Sequence, residues 1–577
     1  MSVTLKKRHL ILLISCLSIC FFFTTKSNTL EKYVSDNTQI RYCTVNANDR
    51  VLNDEKRVAE IQQRIFEIHD KLSQSMVKVE TGNSFASGVM ISEDGYILTA
   101  AHVIDAVEKN FKVRLHDGSQ YLAVCLGKDY TADYGLMKIE PLKKLVFSQL
   151  GDASNLAKDE ACLMIGYPGS SEKDPQAITR IGFYKGITAN DYLKTSCIMK
   201  PGDSGGPLFN LNGEVVGVCS YINKEIDGNF YSSVENVKKN WKRLISGETI
   251  NHKKVNYDDS ITEAPNTVNP FVLKGGKKTL VKVLSEKNKT IYKAVVEIRS
   301  IHDSSIEKIT LGSIFSKDGY IVAKSSEIGE DQIYCTLYNG SMFQASLIGR
   351  DKDNDLAVLK IKTKEKLNSI DITTKQLVYV GEILGTVLNN ERVGWSGIVG
   401  LEADIISTRN IGYLGVDFKQ SGVATIKSVS DGQAANKAGL LSDDKIIEFN
   451  LVSIGDFDDL IKALSDTKPG QKVVITILRD DAVMNIDVVL GERDFSEHKH
   501  HIADNVITNR VKDGFPYAYA HDMPLNIDQC GTPLINLDGK VVGLNISRRN
   551  RVSSLAIPLE HLEKVLSQIL RTPENDI

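Results

Sequence analysis

Short runs in which apolar and polar positions alternate, or in which apolar residues are continuous, dominate the chain. Runs at 76–80, 89–91, 96–99 and 214–220 have the pattern of strands, and Asp-Gly and Asn-Gly pairs punctuate the intervals as turn signals. Many short strands of this kind predict an all-β barrel or sandwich. Helical periodicity is confined to stretches near 54–73, 235–245, 277–292 and 558–570, with a further helix-like run at 457–464.

The pattern repeats. Gly88-Val-Met-Ile-Ser-Glu-Asp-Gly-Tyr-Ile97 recurs as Gly312-Ser-Ile-Phe-Ser-Lys-Asp-Gly-Tyr-Ile321, an offset of 224, and Gly127-Lys-Asp129 with Asp133 recurs as Gly349-Arg-Asp351 with Asp355, an offset of 222. Pro207-Leu-Phe-Asn-Leu-Asn-Gly-Glu-Val-Val-Gly217 then recurs as Pro533-Leu-Ile-Asn-Leu-Asp-Gly-Lys-Val-Val-Gly543, an offset of 326. A segment has therefore been inserted into the second copy between Asp355 and Gln529. The stretch 252–276, rich in Asn, Asp, Thr, Lys and Pro, predicts a linker between the copies.

Length alone, 577 residues at about 150 per domain, suggests roughly four folding units; the repeat reduces these to two copies and an insert. With 70 Lys+Arg against 73 Asp+Glu the charge balance gives no reason to expect nucleic acid or an anionic surface. Of the nine Cys, Cys16 and Cys20 lie in the N-terminal apolar run and the other seven show no C-x-x-C and no paired spacing, so neither a disulfide framework nor a zinc site is signalled, and Cys125, Cys162 and Cys219 read as core residues. His498, His500 and His501 lack the companion spacing of a metal site and read as a solvated loop; no metal or cofactor is expected.

Lys6, Lys7, Arg8 and His9 precede an apolar run from Leu10 to about Thr25, the order of a signal peptide or signal anchor covering 1–27. Thr25 and Ser27 are small enough for cleavage before Asn28. Leu13-Ile-Ser-Cys16 has the look of a lipoprotein box, but the apolar run continues through Phe23, which argues against lipidation. The basic residues then stay cytoplasmic and the rest is exported, to the periplasm or another extracytoplasmic space.

Two segments of the first copy carry chemistry. Leu98-Thr-Ala-Ala-His102 and Lys200-Pro-Gly-Asp-Ser-Gly-Gly-Pro-Leu208 resemble the active-site segments of chymotrypsin-fold serine proteases, and the flanking Asp-Gly-Tyr-Ile-Leu and Asn-Leu-Asn-Gly-Glu-Val-Val-Gly are most similar to the HtrA (Deg) branch. A serine hydroxyl needs a base to take its proton and a third group to orient that base. The resemblance assigns these roles to Ser204, His102 and Asp133, and gives the oxyanion-binding N–H groups to Gly202 and Ser204. Tyr134-Gly135 stands where relatives usually have an aliphatic residue and Ala, which alters the packing behind Asp133. The resemblance also places the floor of the specificity pocket at Ile198, six residues before Ser204, and its wall at Cys219, Ser220 and Tyr221. No carboxylate lies at that floor, so a small or medium apolar residue is expected there, subject to reshaping by the loop at 170–177.

In the second copy His102 aligns with Ser326 and Asp203-Ser-Gly-Gly206 with Gln529-Cys-Gly-Thr532. Asp133 keeps its counterpart in Asp355, but Cys530 has no base at the matching position, so this copy reads as a pseudo-protease. Within the insert, Gly412-Tyr-Leu-Gly-Val416, Gly422-Val-Ala-Thr-Ile426, Ala434-Ala-Asn-Lys-Ala-Gly-Leu440, Asp444-Lys-Ile-Ile447 and Lys468-Pro-Gly470 occur in the order of a PDZ domain, which the segment resembles. It departs at Asp443-Asp444, where Gly-Asp is usual, and at Asn450-Leu451, where Asn-Gly is usual. The resemblance makes Tyr413, Leu414, Gly415 and Val416 the peptide-binding loop and strand; read as an ordinary apolar strand, they would make the insert a spacer.

The fold expected is mainly β, with two chymotrypsin-like double β-barrel domains, the second inactive and interrupted, and a PDZ-like α+β domain. The expected divisions are 28–59 N-terminal segment, 60–250 protease, 251–276 linker, 277–405 and 494–577 pseudo-protease, and 406–493 PDZ-like domain. The resemblance implies an exported endopeptidase of unfolded or damaged proteins that binds peptides or protein C-termini. It leaves open a membrane tether through the N-terminal segment and a homo-oligomer. A non-catalytic peptide-binding or chaperone-like scaffold is the alternative, and an esterase shares the triad chemistry but has no ester-pocket signal.

Overall fold

The computed structural model describes residues 53–81, 84–104, 107, 109–169, 176–250, 260–262, 269–302, 306–406, 412–419, 423–464, 467–491 and 506–571. The leader, the three loop histidines and most of the 170–177 loop lie outside these residues. No helix among the described residues is long and apolar enough to cross a membrane.

Among the described residues, strands pair into four closed six-stranded antiparallel barrels. The first is built from Met76–Thr81, Ser84–Met90, Tyr96–Thr99, Asn110–Leu115, Gln120–Asp129 and Tyr134–Lys138. The second comprises Ala161–Gly166, Ile178–Thr188, Tyr192–Thr195, Pro207–Asn210, Val215–Ile222 and Asn229–Ser233. In both, neighbours around the barrel run first, second, third, sixth, fifth, fourth. Strands Val295–His302 to Leu356–Ile361 form the third barrel in that same order, and strands Ile383–Val387 to Ser554–Pro558 form the fourth. Closure removes the free edges that such short strands would otherwise expose. Pairing also sets strand ends: the apolar run at 89–91 belongs to a strand that starts at Ser84, because Met76–Thr81 pairs with it from Met76↔Val89 to Thr81↔Ser84.

The insert leaves the fourth barrel after its second strand, Val393–Asp404, and the chain returns as the third, Ala518–His521. Between them, the strand pair Val416–Phe418 and Ile426–Val429, a four-stranded sheet and the helices Ala434–Ala438 and Phe457–Leu464 enclose a separate core of residues such as Leu414, Ile426, Ile446, Leu460 and Ile475.

Helix Asp54–Gln74 begins before the division expected at residue 60 and buries Val58, Ile61, Ile65, Ile68 and Leu72 along one face. It bridges the copies: Arg64 Nε donates to Leu211 O at 2.8 Å, and Gln62 Oε1 accepts from Ile383 N at 2.7 Å. The helix expected at 277–292 stops at Lys287, where Asn288 takes a non-helical conformation and its side chain accepts from Tyr292 N at 3.1 Å. The described part of the stretch read as a linker is packed against the second barrel. Ile261–Thr262 pairs with Ile187 and Thr188, Ala161 N donates to Phe271 O, and Leu273 is fully buried. Its polar composition hid the few apolar residues that dock it.

Candidate active site

Asp133 lies in the turn between the last two strands of the first barrel. Asp129 shapes that turn by accepting from Thr131 N at 2.8 Å and Ala132 N at 3.1 Å. Asp133 then takes φ +55°, a left-handed conformation that Asp tolerates better than most residues. Tyr134 behind it is buried, with its hydroxyl 3.1 Å from Asp129 Oδ2 and accepting from Asn240 Nδ2 at 2.8 Å, so the turn is tied to helix Val234–Ile245. A Cβ on Gly135 would come within 2.4 Å of Ile104 Cδ1, so Ile104 fills the space that an Ala side chain would take.

His102 lies in the helical turn Ala101–Val103 that follows the strand Tyr96–Thr99. Asp133 holds it at two points: His102 N donates to Oδ1 at 3.1 Å, and Nδ1 lies 2.9 Å from Oδ2. Assigning the Nδ1 proton to this contact leaves Nε2 as the free acceptor. The Asp133 side chain is 10% exposed, whereas the imidazole side chain is 48% exposed. Partial desolvation alone would lower the pKa of His102, but the hydrogen bond and charge of Asp133 outweigh it and hold the pKa above the ordinary value. For Asp133, desolvation works against ionisation, yet bonds from His102 and Ser220 hold its pKa below the usual carboxylate range.

Ser220 is thus placed differently from the sequence expectation. Its hydroxyl donates to Asp133 Oδ2 at 2.5 Å, supporting the acid rather than serving only as pocket wall. Cys219 is also turned inward: its thiol is in the core, while its backbone O accepts from Gly205 N at 2.9 Å and its N donates to Gly206 O at 2.8 Å. Ile198 is buried, and Tyr221 stacks on Phe230 with ring centroids 4.5 Å apart.

The loop bearing Ser204 packs against the first barrel through Ser87. Ser87 N donates to Ser204 O at 2.9 Å, Ser87 Oγ donates to Gly202 O at 2.8 Å, and Thr99 Oγ1 donates to Ser87 O at 2.8 Å. Gly205, at φ +85°, makes this approach feasible, since a Cβ there would lie 2.1 Å from Thr99 Oγ1 and 2.8 Å from Ala100 N. Ser204 is thereby set beside the segment that leads into His102. Among the described residues, no hydrogen bond is made by Ser204 Oγ, and none by the N–H groups of Gly202 and Ser204. The Pro201 carbonyl accepts from Gly169 N at 2.9 Å, and in a planar trans peptide the Gly202 N–H points the opposite way.

Sequence reasoning overlooked the support beneath this loop. Asp203 and Arg180 are both buried and joined by two bonds, Nη1 to Oδ2 at 2.6 Å and Nη2 to Oδ1 at 2.7 Å. Arg180 Nη1 also donates to Ile198 O at 3.1 Å, and Asp203 Oδ2 accepts from Lys200 N at 2.8 Å. The available signal was a single Arg inside the apolar run Ile178-Thr-Arg-Ile-Gly-Phe183.

In the second copy Asp355 repeats the φ of Asp133, at +52°, and accepts from Ser326 N at 2.7 Å and Ser326 Oγ at 2.8 Å. Lys324 Nζ, 2.5 Å from Asp355 Oδ2, supplies the countercharge and also donates to Val511 O. Cys530 is fully buried beside Asn509 Oδ1 at 3.2 Å, and burial pushes its thiol pKa up to about 12.

In the insert, Tyr413 and Gly491 exchange both backbone hydrogen bonds at 2.9 Å, Leu414 enters the core, and Gly415 takes φ +77°. Among the described residues the N–H groups of Leu414 and Gly415 donate to no acceptor. The two departures from the usual turns keep left-handed backbones without Gly: Asp443 has φ +73°, Asn450 +49° and Leu451 +67°. Buried Asp444 is held by Arg479 through two contacts of 2.6 Å.

The trypsin-like peptidase domain family matches residues 86–218, and the PDZ domain family matches residues 412–490. A probable periplasmic serine endoprotease DegP-like of Marinomonas sp. (strain MWYL1) is 38% identical over 143 residues, covering 24% of this chain but only 30% of that relative. A protein of the same description from Pseudomonas putida (strain GB-1) is 27% identical over 427 residues, 71% of this chain and 80% of the relative. Serine protease HTR4 of Rattus norvegicus is 38% identical over 146 residues, 24% of this chain and 30% of its own length. A solved serine endoprotease from Yersinia pestis aligns with 77% of this chain and 100% of its own at 15% identity and a TM-score of 0.28, too distant an overlay to bear on the site.

Proposed function

For a chain that carries a trypsin-like peptidase domain and a PDZ domain and is homologous to the DegP/HtrA serine proteases, we propose an exported serine endopeptidase that cleaves unfolded or damaged proteins through Ser204, His102 and Asp133. The observation that carries this reading is the two-point hold of buried Asp133 on His102, next to a loop whose Gly202 and Ser204 N–H groups donate to no acceptor among the described residues. With Nδ1–H fixed on Asp133, Nε2 takes the Ser204 proton as Oγ attacks the scissile carbonyl, then returns it to the leaving amine. Water repeats the sequence on the acyl-enzyme. The two N–H groups receive the oxyanion, and losing one such donor typically costs on the order of 100- to 1000-fold in rate.

Peptides or protein C-termini would bind as an added strand along Val416–Phe418, with the carboxylate on the Leu414 and Gly415 N–H groups. The second double barrel acts without chemistry of its own, since the thiol of Cys530 is buried and Ser326 cannot serve as its base. The leader directs export, in keeping with relatives named periplasmic endoproteases.

A scaffold reading draws on the missing Ser204–His102 hydrogen bond, although such bonds are often long without substrate. Labelling the purified chain with a serine-directed fluorophosphonate and assaying unfolded casein separates the two. A protease labels at Ser204 and loses both signals in Ser204→Ala, whereas an unlabelled wild type, or undiminished cleavage by Ser204→Ala, overturns the proposal.

A further inference from the structure

Two buried charged side chains of the fourth barrel reach into the first copy beside its nucleophile loop. Arg551 lies in the turn between strands Val541–Arg548 and Ser554–Pro558. That turn is fixed by Arg548 Nη2 donating to Arg551 O at 2.6 Å, and by Asn550 Oδ1 accepting from Val552 N at 2.9 Å and Ser553 N at 3.0 Å. The Arg551 side chain, from a residue only 2% exposed, donates through Nε to Met199 O at 3.1 Å and through Nη2 to Glu225 O at 2.5 Å. Met199 adjoins Ile198 and leads into the Lys200–Ser204 loop, and Glu225 lies in the turn that follows strand Val215–Ile222.

The first copy also ties these two segments together by itself. Asn229 Oδ1 accepts from Met199 N at 2.9 Å while its Nδ2 donates to Ile226 O at 2.9 Å. Arg551 adds a further tie, its planar guanidinium donating to two separate carbonyls in a fixed geometry. Asp522 provides the other contact. Its Oδ2 accepts from Ile181 N at 2.9 Å and its Oδ1 from Ile398 N at 2.7 Å, which anchors the first copy's strand at the residue after Arg180.

We infer that the second double barrel is a structural half of the first one's active site, with Arg551 as the positioning residue that fixes the pocket floor and the nucleophile loop relative to the pocket wall. The inference rests on the proposed endopeptidase reading. It makes the degenerate copy a cis-acting brace, present at one per active site and independent of any peptide in the PDZ domain.

The test uses the full exported chain with Arg551→Ala and Arg551→Lys. Fluorophosphonate labelling rate is measured, together with kcat/KM for peptides that differ only in the size of the residue before the scissile bond. Arg551→Ala is expected to label roughly 10- to 100-fold more slowly, the cost of a small misplacement of reacting groups. It should also change the preference between small and large residues. Low millimolar guanidinium should restore labelling several-fold where equal sodium chloride does not, and Arg551→Lys should fall between Ala and wild type.

Wild-type labelling with wild-type preference in Arg551→Ala overturns the inference and leaves the protease reading standing. So does a loss that guanidinium fails to rescue and that Arg551→Lys shares in full, which would mark a merely structural role. If Arg551→Ala does not fold, Arg551→Lys decides: unchanged kinetics overturn the inference, and slowed labelling at an unchanged melting temperature supports it. Failure of the wild type itself to label overturns the protease reading, and this inference with it.

Discussion

Arg180 grips Asp203 through both carboxylate oxygens, entirely out of solvent and one residue before Ser204. Burial disfavours the guanidinium charge, but the adjacent carboxylate more than compensates and keeps the Arg180 pKa above its ordinary value. Breaking such a pair from one side strands a charge in the interior, which typically costs about 3–5 kcal/mol. Arg180→Met should therefore destabilise the chain by about that much in a urea melt. It should also slow fluorophosphonate labelling, because Asp203 would no longer fix the peptide that carries the Ser204 N–H.

The His102–Asp133 pair predicts an acid limb with a defined sign. Because the imidazole pKa is held above 6.5, the base form emerges only at higher pH, so kcat/KM for a small peptide should rise through an apparent pKa above 6.5. Asp133→Asn removes the hydrogen bond and charge that raise it and leaves partial burial, which lowers it, so the residual limb should move below 6.5. The rate itself should drop on the order of 10,000-fold. For stability the signs are opposite at the two partners. The raised His102 pKa favours the folded state at low pH and loses that contribution as pH climbs through it, whereas the lowered Asp133 pKa contributes above the ordinary carboxylate range and is lost as pH falls through its folded value.

Ser220→Ala should lower kcat with little change in KM. The hydroxyl is committed to Asp133, and a bond to a buried carboxylate is worth about 1.5–3 kcal/mol, or roughly a 10- to 100-fold change. Steady-state kinetics on one peptide decides it. A change confined to KM would return Ser220 to the role of pocket wall.

Gly415→Val should weaken peptide capture while leaving protease labelling of the free chain intact. The new Cβ would lie 2.2 Å from Gln433 Cβ, at a φ of +77° that a β-branched residue rarely adopts. Strain of about 1–3 kcal/mol would fall on the loop that presents the Leu414 and Gly415 N–H groups. Fluorescence polarisation with a labelled C-terminal peptide should show binding weakened roughly tenfold or more.

Cys530 should resist alkylation in the native chain. Iodoacetamide at pH 8 followed by peptide mass mapping should leave it unmodified until denaturant is added, since the thiol is buried and its pKa is pushed up to about 12. Modification in the native state would reopen the second copy as a thiol site.

The sequence by itself determined the repeating strand pattern, the point at which the second copy is interrupted, and the residues His102, Asp133 and Ser204. These are local signals: period-two alternation, turn pairs and short motifs survive without knowledge of the fold. It also showed that Ser326 and Cys530 stand where His102 and Ser204 would be. What only the tertiary structure decided depends on contacts between distant segments. Ser220 looked like pocket wall until the barrel turned its hydroxyl onto Asp133. The stretch before residue 277 looked like a linker until Leu273 was found buried against the second barrel. Arg180 looked anomalous in an apolar strand, and Arg551 lies 347 residues beyond Ser204 in the sequence. A buried charge is tolerable only where its partner waits, and partners that far apart in sequence leave no local pattern, so the contacts of Arg180 and Arg551 around the Ser204 loop became visible only once the two copies were packed together.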